Sequence, residues 1–145
     1  MSTHYIHVFI SHSWKYSGHY EGIIGWLSDK TWSYGQASLV FRDYSVPRSD
    51  PIHDARNDLA LRNAIYNQIS RSHIVIIPTG MYAHYSKWIR KEIDGAKYYG
   101  KPILAVNPHG QQRVAGVVAA AADQTVNWSS NSIVRGIWEL YYRGR

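Results

Sequence analysis

The chain has 145 residues, about one domain's worth, with 45% hydrophobic and 18% charged residues, so one packed core is expected and disorder is not. It contains no cysteine, which excludes disulfides and thiolate metal sites. Its formal charge of +6 is spread along the chain in short pairs such as Arg90-Lys91, without the stripe or cluster of a duplex-binding protein. Nucleic acid is therefore not an expected partner, whereas an anionic ligand such as a phosphate-bearing nucleotide suits the positive bias.

In chain order, Tyr5–Ile10 reads as a strand. It is too short for a signal-peptide core or a membrane span, and nothing later approaches a span, so a cytoplasmic protein without a membrane partner is expected. Glu21–Ser28 places Ile23, Ile24 and Leu27 at helical spacing. Ser38–Phe41 is a second strand. Asp58–Ser70 sets Leu61, Ile65 and Ile69 at four-residue steps behind Asp58 as a cap. His73–Ile77 is a third strand. Lys87–Tyr99 repeats Ile89, Ile93 and Ala96, and Gly100 then Pro102 stop it. Ile103–Val106 is a fourth strand, Val114–Ala122 a short Ala-rich helix and Thr125–Trp128 a fifth strand. Ser129–Tyr142 closes the chain with Ile133, Ile137 and Tyr141 in step. The second, third and fourth strand runs are nearly continuous in Val, Ile, Leu or Phe, as in strands buried on both faces.

Strands alternating with helices call for a parallel sheet and right-handed crossovers. The expected fold class is therefore α/β, a single domain over residues 1–145. Its sheet is a flavodoxin-like, doubly wound one of five parallel strands, order 2-1-3-4-5, flanked by helices; a parallel sheet of another order is the alternative. Ligands of such sheets bind beyond the carboxyl ends of the strands. That rule selects Ser11-His12-Ser13-Trp14, the long loop from Arg42 to about Asn57, and Pro78-Thr79-Gly80-Met81 with the approach to Trp88.

The sharpest local feature is Tyr85-Ser86-Lys87-Trp88-Ile89-Arg90-Lys91-Glu92-Ile93. Trp88 and Glu92 are four apart and share a helix face. An indole beside a carboxylate makes a partly dry site for a charged ligand, with Ser86 as a helix cap. Spacing alone favours a plainer reading, a surface Glu paired with Lys87, Arg90 or Lys91 and an ordinary packing Trp. Of the three Glu, only Glu92 lies near the start of a helix that follows a strand's carboxyl end. Gly18, Gly22 and Gly25 form no GxGxxG loop and read as turn and close-packing positions, and no Walker loop is present. His4, His7, His12 and His19 cluster in sequence but lack a metal-binding spacing, so no metal is expected. His12 is more readily a general base, and more readily still a simple hydrogen-bonding group.

Trp88-Ile89-Arg90-Lys91-Glu92-Ile93 resembles the Trp-x-x-x-Glu signature of enzymatic TIR (Toll/interleukin-1 receptor) domains. The run His7-Val8-Phe9-Ile10-Ser11-His12-Ser13 resembles the TIR first strand. Val40-Phe41-Arg42-Asp43 with its Pro-containing loop resembles the second strand and BB loop. The resemblance spans about residues 4–140 and points to the TIR-like proteins of bacterial Thoeris antiphage defence. It implies NAD as a substrate, with no bound cofactor, and hydrolysis or cyclisation at the nicotinamide–ribose bond. Glu92 would be the catalytic glutamate and Trp88 would shape the pocket. Phe9, Ser11 and His12 would line the first-strand side, and the loop from Arg42, through Asp43 and Tyr44, would border the nicotinamide. The diphosphate could meet basic residues such as Arg42 or Arg48, or backbone N–H groups. The chain departs from some TIR enzymes in lacking an acidic residue in Ser11-His12-Ser13-Trp14-Lys15. The family further implies self-association and an ADP-ribose-derived signal, cyclic or conjugated, that diffuses to a separate effector.

The chemistry agrees with one carboxylate. Nicotinamide leaves a cationic pyridinium as a neutral molecule, so it needs no general acid, unlike most O-glycosidase leaving groups. A single Glu can hold the ribose and stabilise the oxocarbenium-like transition state. The competing reading is a non-catalytic TIR-like interaction module, using exposed aromatics such as Trp32, Tyr34, Tyr98, Tyr99 and Tyr142. A nucleoside-processing or nucleic-acid enzyme on the same frame is a third, with no motif behind it.

Overall fold

The apolar run that opens the sequence becomes β1 (Ser2–Ile10), and the chain continues as α1 (Gly18–Asp29), β2 (Trp32–Tyr34), β3 (Ala37–Asp43), α2 (Asp58–Ser70) and β4 (Ile74–Pro78). It ends with α3 (Tyr82–Tyr98), β5 (Ile103–Asn107), α4 (Gly116–Ala121), β6 (Gln124–Asn127) and α5 (Ser130–Arg143). This computed structural model describes residues 2–11, 18–29, 31–45, 58–79, 82–107 and 116–143; the side chains of residues 58, 60–61 and 82–88 lie outside the description.

The sheet has six strands in the order β2-β3-β1-β4-β5-β6. β1 pairs in parallel with β3 and β4, and β5 pairs in parallel with β4 and β6. The expected five-strand, all-parallel sheet is corrected by β2, which runs antiparallel to β3 at the edge. Trp32-Ser33-Tyr34 is too short to stand out as an apolar run. The turn that creates it is local: Gly35 takes φ 58°, which glycine adopts without a Cβ penalty, and lets the chain reverse in two residues.

Helices cover both faces. Ile6, Val8 and Ile10 of β1 share one core with α1 and α5, to which α5 contributes Ile133, Val134, Ile137, Leu140 and Tyr141. Phe9 shares the other core with Ile65 and Ile69 of α2, Ile89, Ile93 and Ala96 of α3, and Val118 of α4. The alternation along β1 is the two-residue period of a strand, so the sheet separates the two cores. β4 is buried throughout and β5 at all but its last residue, as expected of strands covered twice. β3 departs from that expectation: Val40 and Arg42 are exposed, because β3 lies one place from the sheet edge.

Other expectations shift by local physics. α3 begins at Tyr82, five residues before the expected Lys87, since no Gly or Pro interrupts 82–87; Ser86 is inside the helix and does not cap it, and Glu92 sits well along it. Gly18, Gly22 and Gly25 belong to α1, where a Cβ on Gly22 would stand 3.0 Å from the Trp128 ring. Trp32, expected as an exposed aromatic, is buried and its indole N–H donates to the Trp26 carbonyl at 3.1 Å. Among the described residues no helix is long and apolar enough to cross a membrane.

The edge strand has a measurable consequence. Trp32→Ala is expected to lower stability by roughly 3–5 kcal/mol in urea unfolding, whereas Leu59→Ala on an exposed helix face should change it by about 0.5 kcal/mol or less. Equal midpoints for the two variants would show that β2 is not packed as described.

Candidate active site

β1 makes its last ladder contacts with different neighbours on its two sides. Toward β3, the Tyr44 N–H donates to the Val8 carbonyl at 2.8 Å, and the next inward donor, the Ile10 N–H, reaches the Ser45 hydroxyl at 2.8 Å. Toward β4, the Ser11 N–H donates to the Ile76 carbonyl at 2.8 Å. The connection from β1 leads toward β3, and the one from β3 crosses back to β4, so the winding reverses between β1 and β4. That is the switch point where open α/β sheets bind ligands.

Ser11 stands at this point, fully buried, and its hydroxyl donates to Oε1 of Glu92. Glu92 comes from α3, the helix after β4, and is also 0% exposed. Its neighbours Ile89, Ile93 and Ala96 anchor the helix in the core beneath, so the carboxylate turns inward with Ile89 and Ala96, three residues before it and four after. Burial overturns the plainer reading of Glu92 as a surface carboxylate. A carboxylate out of water needs hydrogen-bond donors, and a hydroxyl held by two strands is one with a fixed position.

The remaining expected residues divide by position. Phe9 is on the same face of β1 as Ser11 but lies within the core, so it underlies the site. Arg42 is not brought to Glu92. It pairs in register with His7 and places its guanidinium over the Tyr5 ring, 4.9 Å from the centroid; His7 is four residues, or roughly 13 Å of strand, before Ser11. Asp43 is engaged by the protein itself: Oδ1 accepts the Ser45 N–H at 2.9 Å and Oδ2 accepts the Tyr20 hydroxyl. Burial first, and the Asp43 bond second, push the Tyr20 phenol well above its ordinary range, so it remains a donor. The Tyr44 ring lies against His7, 4.4 Å between centroids. Trp88 belongs to α3 one turn before Glu92, with its side chain outside the described residues; His12 and Arg48 lie outside them altogether.

Sequence reasoning missed Ser45 and Tyr20. Ser45 had a signal in Asp43-Tyr44-Ser45, since an Asp carboxylate taking the N–H two residues on is an Asx-turn. Tyr20 had none, because only the fold brings α1 to the end of β3. One step along the same sheet edge, the Thr79 hydroxyl donates to Oδ1 of Asn107 at 3.2 Å. His4 meets the Tyr141 hydroxyl at 3.2 Å, while His7 Nδ1 donates to the Arg71 carbonyl at 3.2 Å. Among the described residues no group of three His, Asp or Glu could hold a metal ion. A groove lined by Lys97, Lys101, Leu140 and Arg143 lies between the carboxyl ends of α3 and α5, at the opposite end of the sheet from Glu92.

A mostly parallel, helix-covered sheet with a buried Ser–Glu pair at its switch point places the chain among α/β domains with a polar site at the carboxyl edge of the sheet. The family model described as Thoeris protein ThsB, TIR-like domain, matches residues 9–113, a span that includes Ser11, Ser45 and Glu92. The chain belongs to that family, and so to the proteins of Thoeris antiphage defence. No curated protein matches it.

Ser11→Ala removes a donor from a buried carboxylate. It is expected to cost about 1.5–3 kcal/mol, the range for hydrogen bonds to charged groups, read by denaturant unfolding at neutral pH. Unfolding curves that superimpose on the parent's would show that the pair does not form.

Proposed function

We propose that this protein consumes NAD, breaking the nicotinamide–ribose bond with Glu92 as its catalytic carboxylate. The observation that carries the reading is the Ser11–Glu92 pair, a fully buried carboxylate at the ligand-binding edge of a Thoeris TIR-like domain. A ribose hydroxyl of NAD would hydrogen-bond to Glu92 beside the Ser11 hydroxyl, which holds the carboxylate in place. As the C–N bond lengthens, positive charge builds on the ribose while the pyridinium becomes neutral nicotinamide. The carboxylate opposes that charge directly, and its dry surroundings strengthen the interaction.

The product on this reading is an ADP-ribose derivative, formed by attack of water, of the adenine ring of the same molecule, or of a second nucleophile. It would diffuse in the cytoplasm to a separate effector, and self-association of the TIR-like domain would switch the reaction on. Trp88, one turn before Glu92, would wall the ribose pocket, and His12 would add a polar contact.

The test is nicotinamide release from NAD by purified protein in phage-infected lysate, beside Glu92→Gln. The parent should release nicotinamide, and the variant should do so more slowly by roughly 100-fold or more. Equal release from both would remove Glu92 from the mechanism. Release from neither would favour an assembly module, a reading that exposed Tyr98 and Tyr142 support.

A further inference from the structure

The end of β1 carries a device that the NAD reading does not require but that bears on it. β3 ends at Asp43, and in a regular parallel ladder the Ile10 N–H would look to a β3 carbonyl. The Ser45 hydroxyl takes that place at 2.8 Å, with Ser45 and Ile10 both buried. Ser45 is itself held at both its N–H and its carbonyl. Its N–H goes to Asp43 Oδ1 at 2.9 Å, its carbonyl accepts the Gln68 side-chain amide of α2 at 3.1 Å, and behind Asp43 stands the Tyr20 hydroxyl of α1. The backbone on either side of Ile10 is thus fixed from opposite flanks, the Phe9–Ile10 peptide by Ser45 and the Ile10–Ser11 peptide by the Ile76 carbonyl. Ser11 then presents its hydroxyl to Glu92 from a backbone that cannot swing.

We infer that Ser45 is a positioning residue for the Glu92 site: its hydroxyl, set by Asp43 and Tyr20, fixes the Phe9–Ile10 peptide at the end of β1 and so the place of the Ser11 hydroxyl beside the carboxylate. This rests on the NAD reading for its effect on turnover, but not for its effect on β1. Ser45 touches neither Glu92 nor, on this account, the substrate. Tyr44 and Ser45 therefore serve the site by holding the first strand, and Asp43 acts through Ser45 and not as a ligand contact.

The experiment uses the full chain and four variants: Ser45→Ala, Ser45→Thr, Tyr20→Phe and Ile137→Val. The last trims the core on the opposite face of the sheet and controls for lost stability. Two quantities are read, amide hydrogen exchange at Ile10 and Ser11 by NMR, and kcat and KM for nicotinamide release in infected lysate. Ser45→Ala should speed exchange at both amides about tenfold or more. It should lower kcat by roughly 10- to 100-fold, the scale of a small misplacement of a catalytic group, with KM within about threefold. Ser45→Thr, which keeps the hydroxyl, should restore both, and Ile137→Val should leave kcat unchanged. Tyr20→Phe should act in the same direction with a smaller effect, and it carries the test if Ser45→Ala does not fold. Parent-like kcat in Ser45→Ala, or a fall matched by Ile137→Val, overturns the inference. If the parent itself releases no nicotinamide, the NAD reading fails on its own; exchange at Ile10 and Ser11 then decides, with parent-like rates in Ser45→Ala rejecting the positioning role and faster rates, reversed in Ser45→Thr, upholding it.

Discussion

A carboxylate with no exposed surface is costly to bury, and the hydrogen bond from Ser11 to Glu92 is part of what makes that burial tolerable. Everything around it serves to hold the two groups in register. Ser11 cannot choose its position, because its own N–H is bonded to Ile76 of β4 and the N–H of Ile10 before it to Ser45. Glu92 cannot turn outward without drawing Ile89, Ile93 and Ala96 from the core. A strand end and a helix face, specified by residues far apart in sequence, meet at one pair of oxygen atoms.

The two cores explain why that meeting is rigid. β1 divides its side chains between them, with Ile6, Val8 and Ile10 on one face and Phe9 on the other. Any shift of β1 along its axis would have to repack both at once, and packed interiors resist such shifts. The same division gives Phe9 its place: it belongs to the floor under the pair, where it supports α3.

Much of this was legible in the sequence, and what was not had physical reasons. Ile65-x-x-x-Ile69 and Ile89-x-x-x-Ile93 marked α2 and α3 because their periodicity faces one core. Glu92 could be singled out by its place after a strand, yet its burial could not, since spacing alone fits a solvated salt bridge as well. β2 escaped because three residues and a glycine turn carry almost no pattern, although they bury Trp32. The early start of α3 escaped because Tyr82–Ser86 lacks a helix-breaking residue but also lacks an apolar stripe. Arg42 was readable as a loop cation, but strand register sends it to Tyr5. Ser45 shows the limit most clearly: a serine after Asp-Tyr advertises a turn, and only the tertiary structure reveals that its hydroxyl replaces a backbone acceptor.

The family match ends at residue 113, whereas the core on the α1 face draws Ile133, Val134, Ile137, Leu140 and Tyr141 from α5. The unit of recognisable ancestry and the unit of cooperative folding are therefore different lengths of chain. Cutting at the edge of the recognisable segment would strip one wall from the core that seats Ile10, the residue before Ser11. The least family-like portion of the molecule thus bears on whether the most family-like portion can keep its shape.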